Sequence, residues 1–262
     1  MDKVNYREWF QSVGINTDDI VDVASDLLSV MIYCRERKVK FDANELIDAL
    51  LETVGENGTV LIRTFNWDFC HGGTFDIRRT PSQVGSLGNI ALKRKDFRRT
   101  QHPIYSWMVW GKSQKKLCEL NNTEAFGEDS PFAFLYNNNG KHIRLGNTMN
   151  DVYTQRHFAE LRANVPFRYE KKFSGWYIDE EGNKSLREYS MYVRRLDIEV
   201  GYHPFLMYPD ATIETIRQYD NCTCASVRIK DATDYIYNDL INNNGRHTVA
   251  INGNDGYEEL KK

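Results

Sequence analysis

A histidine and a glutamate stand three residues apart in Asp151-Val-Tyr-Thr-Gln-Arg-His157-Phe-Ala-Glu160, just past an aspartate. On a helix running from about Thr154, His157 and Glu160 share one face and can touch. A carboxylate on one ring nitrogen orients an imidazole and raises its basicity, so the other nitrogen can take a proton near neutral pH. Such a base suits a reaction in which an ammonium must lose its proton before the amine attacks an electrophile. Asp151 by itself fits a cap on the turn before the helix. On spacing alone, an exposed ion pair is the commoner meaning of the same pattern.

Three further clusters carry residues of chemical interest. Arg98-Arg-Thr-Gln-His102-Pro-Ile-Tyr105-Ser106 leads into an apolar strand. That places a ring and a hydroxyl at a strand end, where α/β enzymes build sites. Equally, His102 caps a turn and Ser106 sits in the sheet. In Arg78-Arg-Thr80-Pro81-Ser82-Gln-Val-Gly85, Pro81 and Gly85 fit a turn that opens a helix. The first amides of such a helix can hold a phosphate or a pantetheine amide. The basic run Lys93, Arg94, Lys95, Arg98 and Arg99 suits several phosphates or a solvated helix face. Phe126-Gly-Glu-Asp-Ser-Pro131 is a turn of the kind that sets a backbone wall.

The elements that must position these groups follow an α/β pattern. The sequence predicts a helix from Tyr6 to Val13, a strand at Ile20–Val23, a helix from Asp26 to Cys34, and a helix capped by Asp42 with a stripe of Leu46, Ile47, Leu50 and Leu51. Gly55 to Gly58 ends that helix and Thr59–Phe65 follows as a buried strand, which favours a sheet with helices on both faces. Residues 66–99 are too long for a hairpin loop and read as partly helical and functional. Strands follow at 105–110 and 141–146, an antiparallel hairpin spans 167–192 around Glu180-Glu-Gly182, and a helix runs from Ala232 to Ile241 before a frayed polar tail.

With 262 residues, 41% of them hydrophobic and 27% charged, the chain is expected to fold as a single domain over residues 1–262. A net charge of -3 gives no sign of a nucleic-acid partner. No apolar run approaches the roughly 20 residues that span a bilayer, and the first residues lack an apolar leader, so a cytoplasmic protein off the membrane is expected. The five cysteines are scattered, and Cys222-Thr-Cys224 lacks common zinc or redox spacing, so free thiols and no metal are expected.

Taken in order, these segments resemble the aminoglycoside 3-N-acetyltransferase family. The resemblance runs from about Val21 to Tyr169, and more weakly to about Tyr235. It is carried by Gly58-Thr-Val-Leu-Ile-Arg-Thr-Phe, Arg79-Thr-Pro-Ser-Gln-Val-Gly85, His102-Pro-Ile-Tyr-Ser106 with Trp110-Gly111, Phe126 through Pro131, and Asp151 through Glu160. It implies an acetyl-CoA-dependent N-acetyltransferase, with a central mixed sheet flanked by helices and an antiparallel hairpin in the second half. His157 falls on the family's catalytic histidine, Glu160 on the acidic residue beyond it, and Asp151 on the aspartate of the acceptor pocket. Ser25 and Leu27 match the loop that holds pantetheine and pyrophosphate. Thr80, Ser82, Gly85 and Ser106 lie in motifs near the thioester arm, and His102 and Tyr105 on the acceptor side.

The implied mechanism is direct transfer in a ternary complex. His157 takes the proton, and Ser106 or nearby amides stabilise the oxyanion. No acyl-enzyme is needed, so Cys70 and Cys118 are not invoked as nucleophiles. Two departures bear on the acceptor. The chain has Ala24-Ser25-Asp26-Leu27 where the family has a His-Ser-Ser-Leu-like step, and Tyr105 where antibiotic-modifying members often carry a second histidine. They favour an amino sugar, nucleotide-linked and destined for surface polysaccharide, over an aminoglycoside antibiotic. A catalytically idle carbohydrate-binding relative is the alternative of a different class. A homodimer is compatible with all three readings.

Overall fold

The computed structural model describes residues 3–146, 153–204 and 213–261. Helix α1 (Tyr6–Ser12) starts at Asn5, whose side chain accepts the Glu8 N–H. Strand β1 (Ile20–Ser25) leads into α2 (Leu27–Glu36), where Asp26 caps by accepting from Leu28 N. Asp42 caps α3 (Ala43–Val54) in the same way, and the stripe Leu46, Ile47, Leu50 and Leu51 is buried as its spacing predicts. Gly55 ends α3 at φ 66°, a conformation that favours glycine. Strand β2 (Thr59–Arg63) follows, buried throughout.

The region from 66 to 99 resolves into short pieces: a 3-10 turn at Asp68–His71, strand β3 (Thr74–Asp76), helix α4 (Ser86–Ala91) and strand β4 (Arg98–Arg99). Then come β5 (Trp107–Gly111), α5 (Gln114–Cys118), α6 (Pro131–Asn137), β6 (Lys141–Leu145) and α7 (Arg156–Arg162). Strand β7 (Arg168–Ile178) and β8 (Lys184–Arg194) form the expected antiparallel hairpin. The rest is β9 (Val200–Tyr202), β10 (Glu214–Tyr219), β11 (Cys222–Arg228), α8 (Ile229–Asn243), β12 (Val249–Ile251) and β13 (Asn254–Asp255).

The main sheet runs β10-β11-β6-β1-β2-β5-β4. β1 is parallel to β2 and β6, and the other pairs are antiparallel, so the sheet is mixed as the resemblance implies. Alternation along the strands divides the core. Val21, Val23, Val60 and Ile62 pack with α1 and α3, while Leu61, Trp107 and Val109 pack with α6, α7 and α8 on the other face.

A polar set is buried on that second face. Asp22 accepts from Trp107 Nε1 at 2.8 Å, from Arg63 at 2.6 Å and bonds His142 Nδ1 at 2.8 Å. Arg63 also donates to the Thr154 hydroxyl at 3.3 Å, tying the sheet to the chain just before α7.

The tail departs from the sequence reading. It is a three-stranded sheet, β13-β12-β9, rather than a frayed end. Val249, Ile251 and Tyr257 are buried, and Tyr257 packs beside Phe167 at 5.6 Å. Those apolar residues sit among polar neighbours, so the segment reads as polar although alternate side chains face the core. Among the described residues, no helix is long and apolar enough to cross a membrane.

Candidate active site

His157 lies in the first turn of α7 and Glu160 one turn on. His157 Nδ1 is 2.7 Å from Glu160 Oε2, so the imidazole N–H points at the carboxylate and Nε2 is left as the acceptor. Glu160 is fully buried, whereas the His157 side chain keeps 17% of its surface exposed. Phe126 sets an edge-on wall at 5.3 Å from the ring.

A residue outside every motif completes this group. Arg168, the first residue of β7, brings Nε within 2.6 Å of the same Glu160 oxygen. It also donates to the Tyr192 carbonyl at 2.9 Å and to the Tyr202 hydroxyl. Arg156 stacks on the Tyr202 ring at 3.9 Å. Tyr202 belongs to the small C-terminal sheet, so no local periodicity connects it to α7. The one sequence cue for Arg168 is its place beside the buried Phe167.

These charges reverse one expectation. Burial and the Arg168 guanidinium push the His157 imidazole below its ordinary range, outweighing the upward pull of Glu160. Burial works against the charge of Glu160, yet Arg168 and His157 hold its carboxyl down to about 2. At neutral pH the arrangement is therefore a neutral imidazole hydrogen-bonded to an ionised glutamate, which is a base ready to accept a proton.

Asp151 lies outside the described residues. The remaining predicted residues form two groups. Ser25, Leu27, Ser82 and Gly85 gather at the carboxyl ends of β1 and β2, the usual ligand side of an open α/β sheet. Gly85, at φ 106°, sits so close to β1 that a Cβ there would stand 3.0 Å from the Ser25 carbonyl oxygen. Ser25 and Gly85 are accessible, while Leu27 and Ser82 are buried beneath them. The Ser82 amide is bonded to the Asn89 side chain at 2.7 Å, which fixes the turn into α4.

Thr80 and Ser106 are structural neighbours of this group and do not face solvent. Ser106 is fully buried. Its hydroxyl meets the Thr64 carbonyl at 3.0 Å, the Thr64 hydroxyl at 3.1 Å and Arg99 Nε at 3.0 Å. It is saturated, so it has no donor to aim at an oxyanion. Arg99 in turn reaches the carbonyls of Thr80 and Thr64 at 2.6 and 2.8 Å.

His102 is buried and its Nδ1 accepts from the amides of Ile104 and Tyr105, which caps the turn; burial pushes its imidazole down to about 4. Tyr105 is buried in a ring chain running Phe65, Tyr105, Phe126, His157, with successive centroids at 4.8, 5.0 and 5.3 Å. It therefore backs the wall behind His157.

The basic run is largely consumed. Arg94 pairs with Asp48 and Asp96, Arg98 with Glu180, and Arg99 is buried under Ser106. Among the described residues, no three His, Cys, Asp or Glu groups are placed to hold a metal ion.

The sequence profile of the aminoglycoside 3-N-acetyltransferases matches residues 34–237. The chain belongs to the aminoglycoside 3-N-acetyltransferase family. It is therefore an N-acetyltransferase by descent, on the family's mixed α/β fold. The SPbeta prophage-derived aminoglycoside N(3')-acetyltransferase-like protein YokD of Bacillus subtilis is 25% identical over 271 residues, covering 94% of each chain. Two solved structures are similar in fold. AAC-VIa bound to sisomicin has a TM-score of 0.74 at 18% identity, covering 90% of this chain and 96% of its own. AAC-IIIb in binary complex with CoASH has a TM-score of 0.72 at 18% identity, covering 90% and 94%.

Proposed function

We propose that this family member transfers the acetyl group of acetyl-CoA to an amine of an aminoglycoside, with His157 as general base and Glu160 as its orienter. The observation that carries the proposal is a neutral, partly exposed imidazole whose Nδ1 is held 2.7 Å from a buried carboxylate. The acceptor ammonium gives one proton to solvent, His157 Nε2 takes a second from nitrogen as it attacks the thioester carbonyl, and that proton passes to the leaving sulfur. A C–N bond forms, the C–S bond breaks, and coenzyme A leaves as the thiol. Asp151 orients the amine by its family position. The accessible Ser25 and Gly85 backbone at the ends of β1 and β2 borders the pantetheine arm.

The CoASH complex of AAC-IIIb and the sisomicin complex of AAC-VIa support the two co-substrates. They favour the antibiotic over the nucleotide-linked sugar that Ala24 and Tyr105 suggested. Of the basic run, which suits a sugar diphosphate or coenzyme A alike, Arg94, Arg98 and Arg99 already have partners within the protein.

The test is thiol release from acetyl-CoA with aminoglycosides and nucleotide-linked amino sugars assayed side by side. Turnover of an aminoglycoside is expected, with His157→Ala lowering it by about two to four orders of magnitude while acetyl-CoA still binds. Faster turnover of a nucleotide-linked sugar would overturn the acceptor, and a fully active His157→Ala would overturn the base. Silence with every acceptor would leave an idle relative.

A further inference from the structure

A hydrogen bond and an ion pair converge on one oxygen of a buried carboxylate. His157 Nδ1 and Arg168 Nε lie 2.7 and 2.6 Å from Glu160 Oε2. We propose that Arg168 is a charge-setting and positioning residue: by sharing Glu160 with His157 it keeps the imidazole unprotonated at rest and fixed in the tautomer that accepts the substrate proton. This rests on the reading of His157 as the base.

The physical argument is one of charge counting in a buried site. Glu160 alone beside His157 would be a one-to-one partner for an imidazolium and would favour the protonated ring. Arg168 cancels that carboxylate, because the guanidinium cannot release its proton. A proton on His157 then makes a second cation against a neutral pair in a water-poor site, which is costly. Among the described residues, the groups facing His157 fit this count. From its own helix come Glu160 and Arg156, from β7 Arg168, and from β9 the Tyr202 ring at 6.3 Å; Phe126 closes the remaining side without charge. Among the described residues, two cations thus stand against one anion.

The placement of Arg168 is set by more than this ion pair. Its side chain is 7% exposed and its two terminal nitrogens are held by the Tyr192 carbonyl on β8 and the Tyr202 hydroxyl on β9. A planar fork spanning three partners is a task for arginine rather than lysine. The same fork clamps the hairpin and the small C-terminal sheet against α7.

The experiment compares wild type, Arg168→Gln and Arg168→Lys by two readouts. The first is the titration of the His157 ring in ¹⁵N-histidine NMR, assigned by its loss in His157→Ala. The second is the pH profile of kcat/KM for the acetyl-CoA reaction. In Arg168→Gln the ring midpoint and the acidic limb should rise together, and the ratio of kcat/KM at pH 6 to that at pH 8 should fall about three- to tenfold, the scale of removing one charge a few ångströms away. Arg168→Lys, which keeps the charge and loses the fork, should hold both near wild type. A ring midpoint unmoved in Arg168→Gln, or moved equally in both variants, overturns the proposal. Should Arg168→Gln not fold, Arg168→Met fills the volume and carries the same test. A ring midpoint that rises while the kinetic limb stays fixed would overturn His157 as the base and leave the charge-setting intact.

Discussion

Replacing Glu160 with glutamine removes one charge and almost no volume from the centre of the site. On the proposed role of His157, the imidazolium formed when it takes the proton faces a carboxylate oxygen across 2.7 Å in the wild type. With charge centres about 4 Å apart and an effective dielectric near 20, that attraction is about 4 kcal/mol. A carboxamide oxygen still accepts the Nδ1 hydrogen bond, which returns about 1 kcal/mol. The net loss of about 3 kcal/mol predicts a fall in kcat of about two orders of magnitude. The same change leaves Arg168 buried with no counter-ion, which costs about 3–5 kcal/mol of stability. For a chain of this size that lowers Tm by about 6–20 °C. The pH profile should move opposite to that of Arg168→Gln, because an unopposed guanidinium keeps the ring neutral to lower pH. Thiol release measured well below the melting transition, with Tm from circular dichroism, separates the two effects. A folded Glu160→Gln enzyme with kcat within about threefold of wild type would refute the reasoning.

Three other outcomes are expected. Ser106→Ala strands the Arg99 Nε donor and should cost about 1–3 kcal/mol in urea unfolding; since the hydroxyl is saturated inside the protein, kcat should change less than about fivefold, and a larger loss would restore an oxyanion role. Gly85→Ala forces a side chain at φ 106° against the Ser25 carbonyl, at a cost of about 1–3 kcal/mol; the KM for acetyl-CoA should rise more than kcat falls, and an unchanged KM would place the pantetheine arm elsewhere. Burial holds the imidazoles of His102 and His142 at about 4, below the ordinary 6.5, so the unfolded chain binds protons that the folded one refuses. Stability is then complete above about pH 6.5 and declines as pH falls towards 4, by up to about 3 kcal/mol per histidine; urea midpoints that stay flat over that range would contradict it.

Much of the fold was legible because its signals are local. Asp26 and Asp42 are caps followed at once by apolar residues, Gly55 stops α3, and the Leu46–Leu51 stripe repeats at helical spacing. The hairpin around Glu180-Glu-Gly182 was equally plain. The His157–Glu160 contact followed from the geometry of one helical turn. What was hidden depends on long-range pairing. Arg168 reaches Glu160 only because β7 lies against α7, and Tyr202 reaches Arg168 only because β9 pairs with β12. The roles of Ser106 and His102 were ambiguous for a different reason. Their residue types suit a site as well as a turn, and only burial together with Arg99 and the amides of Ile104 and Tyr105 assigns them to the scaffold.

The molecule contains the same three chemical groups twice. Asp22, Arg63 and His142 lie on β1, β2 and β6, and Glu160, Arg168 and His157 on α7 and β7. In each, one carboxylate is shared between a guanidinium and an imidazole Nδ1, and in each the ring is pushed towards neutrality by burial and the arginine. Electrostatics therefore does not separate the two sets as candidate bases; access does. The His142 side chain has no exposed surface, so no amine can approach it, while His157 opens to solvent beside Phe126. The buried set has a task of its own: Arg63 carries its contact outward to Thr154, whose carbonyl accepts the His157 backbone N–H at 3.1 Å. One set thus holds the turn from which the other projects. A perturbed histidine becomes a catalytic candidate only where the fold leaves it a path to substrate, and here that path exists at the start of α7.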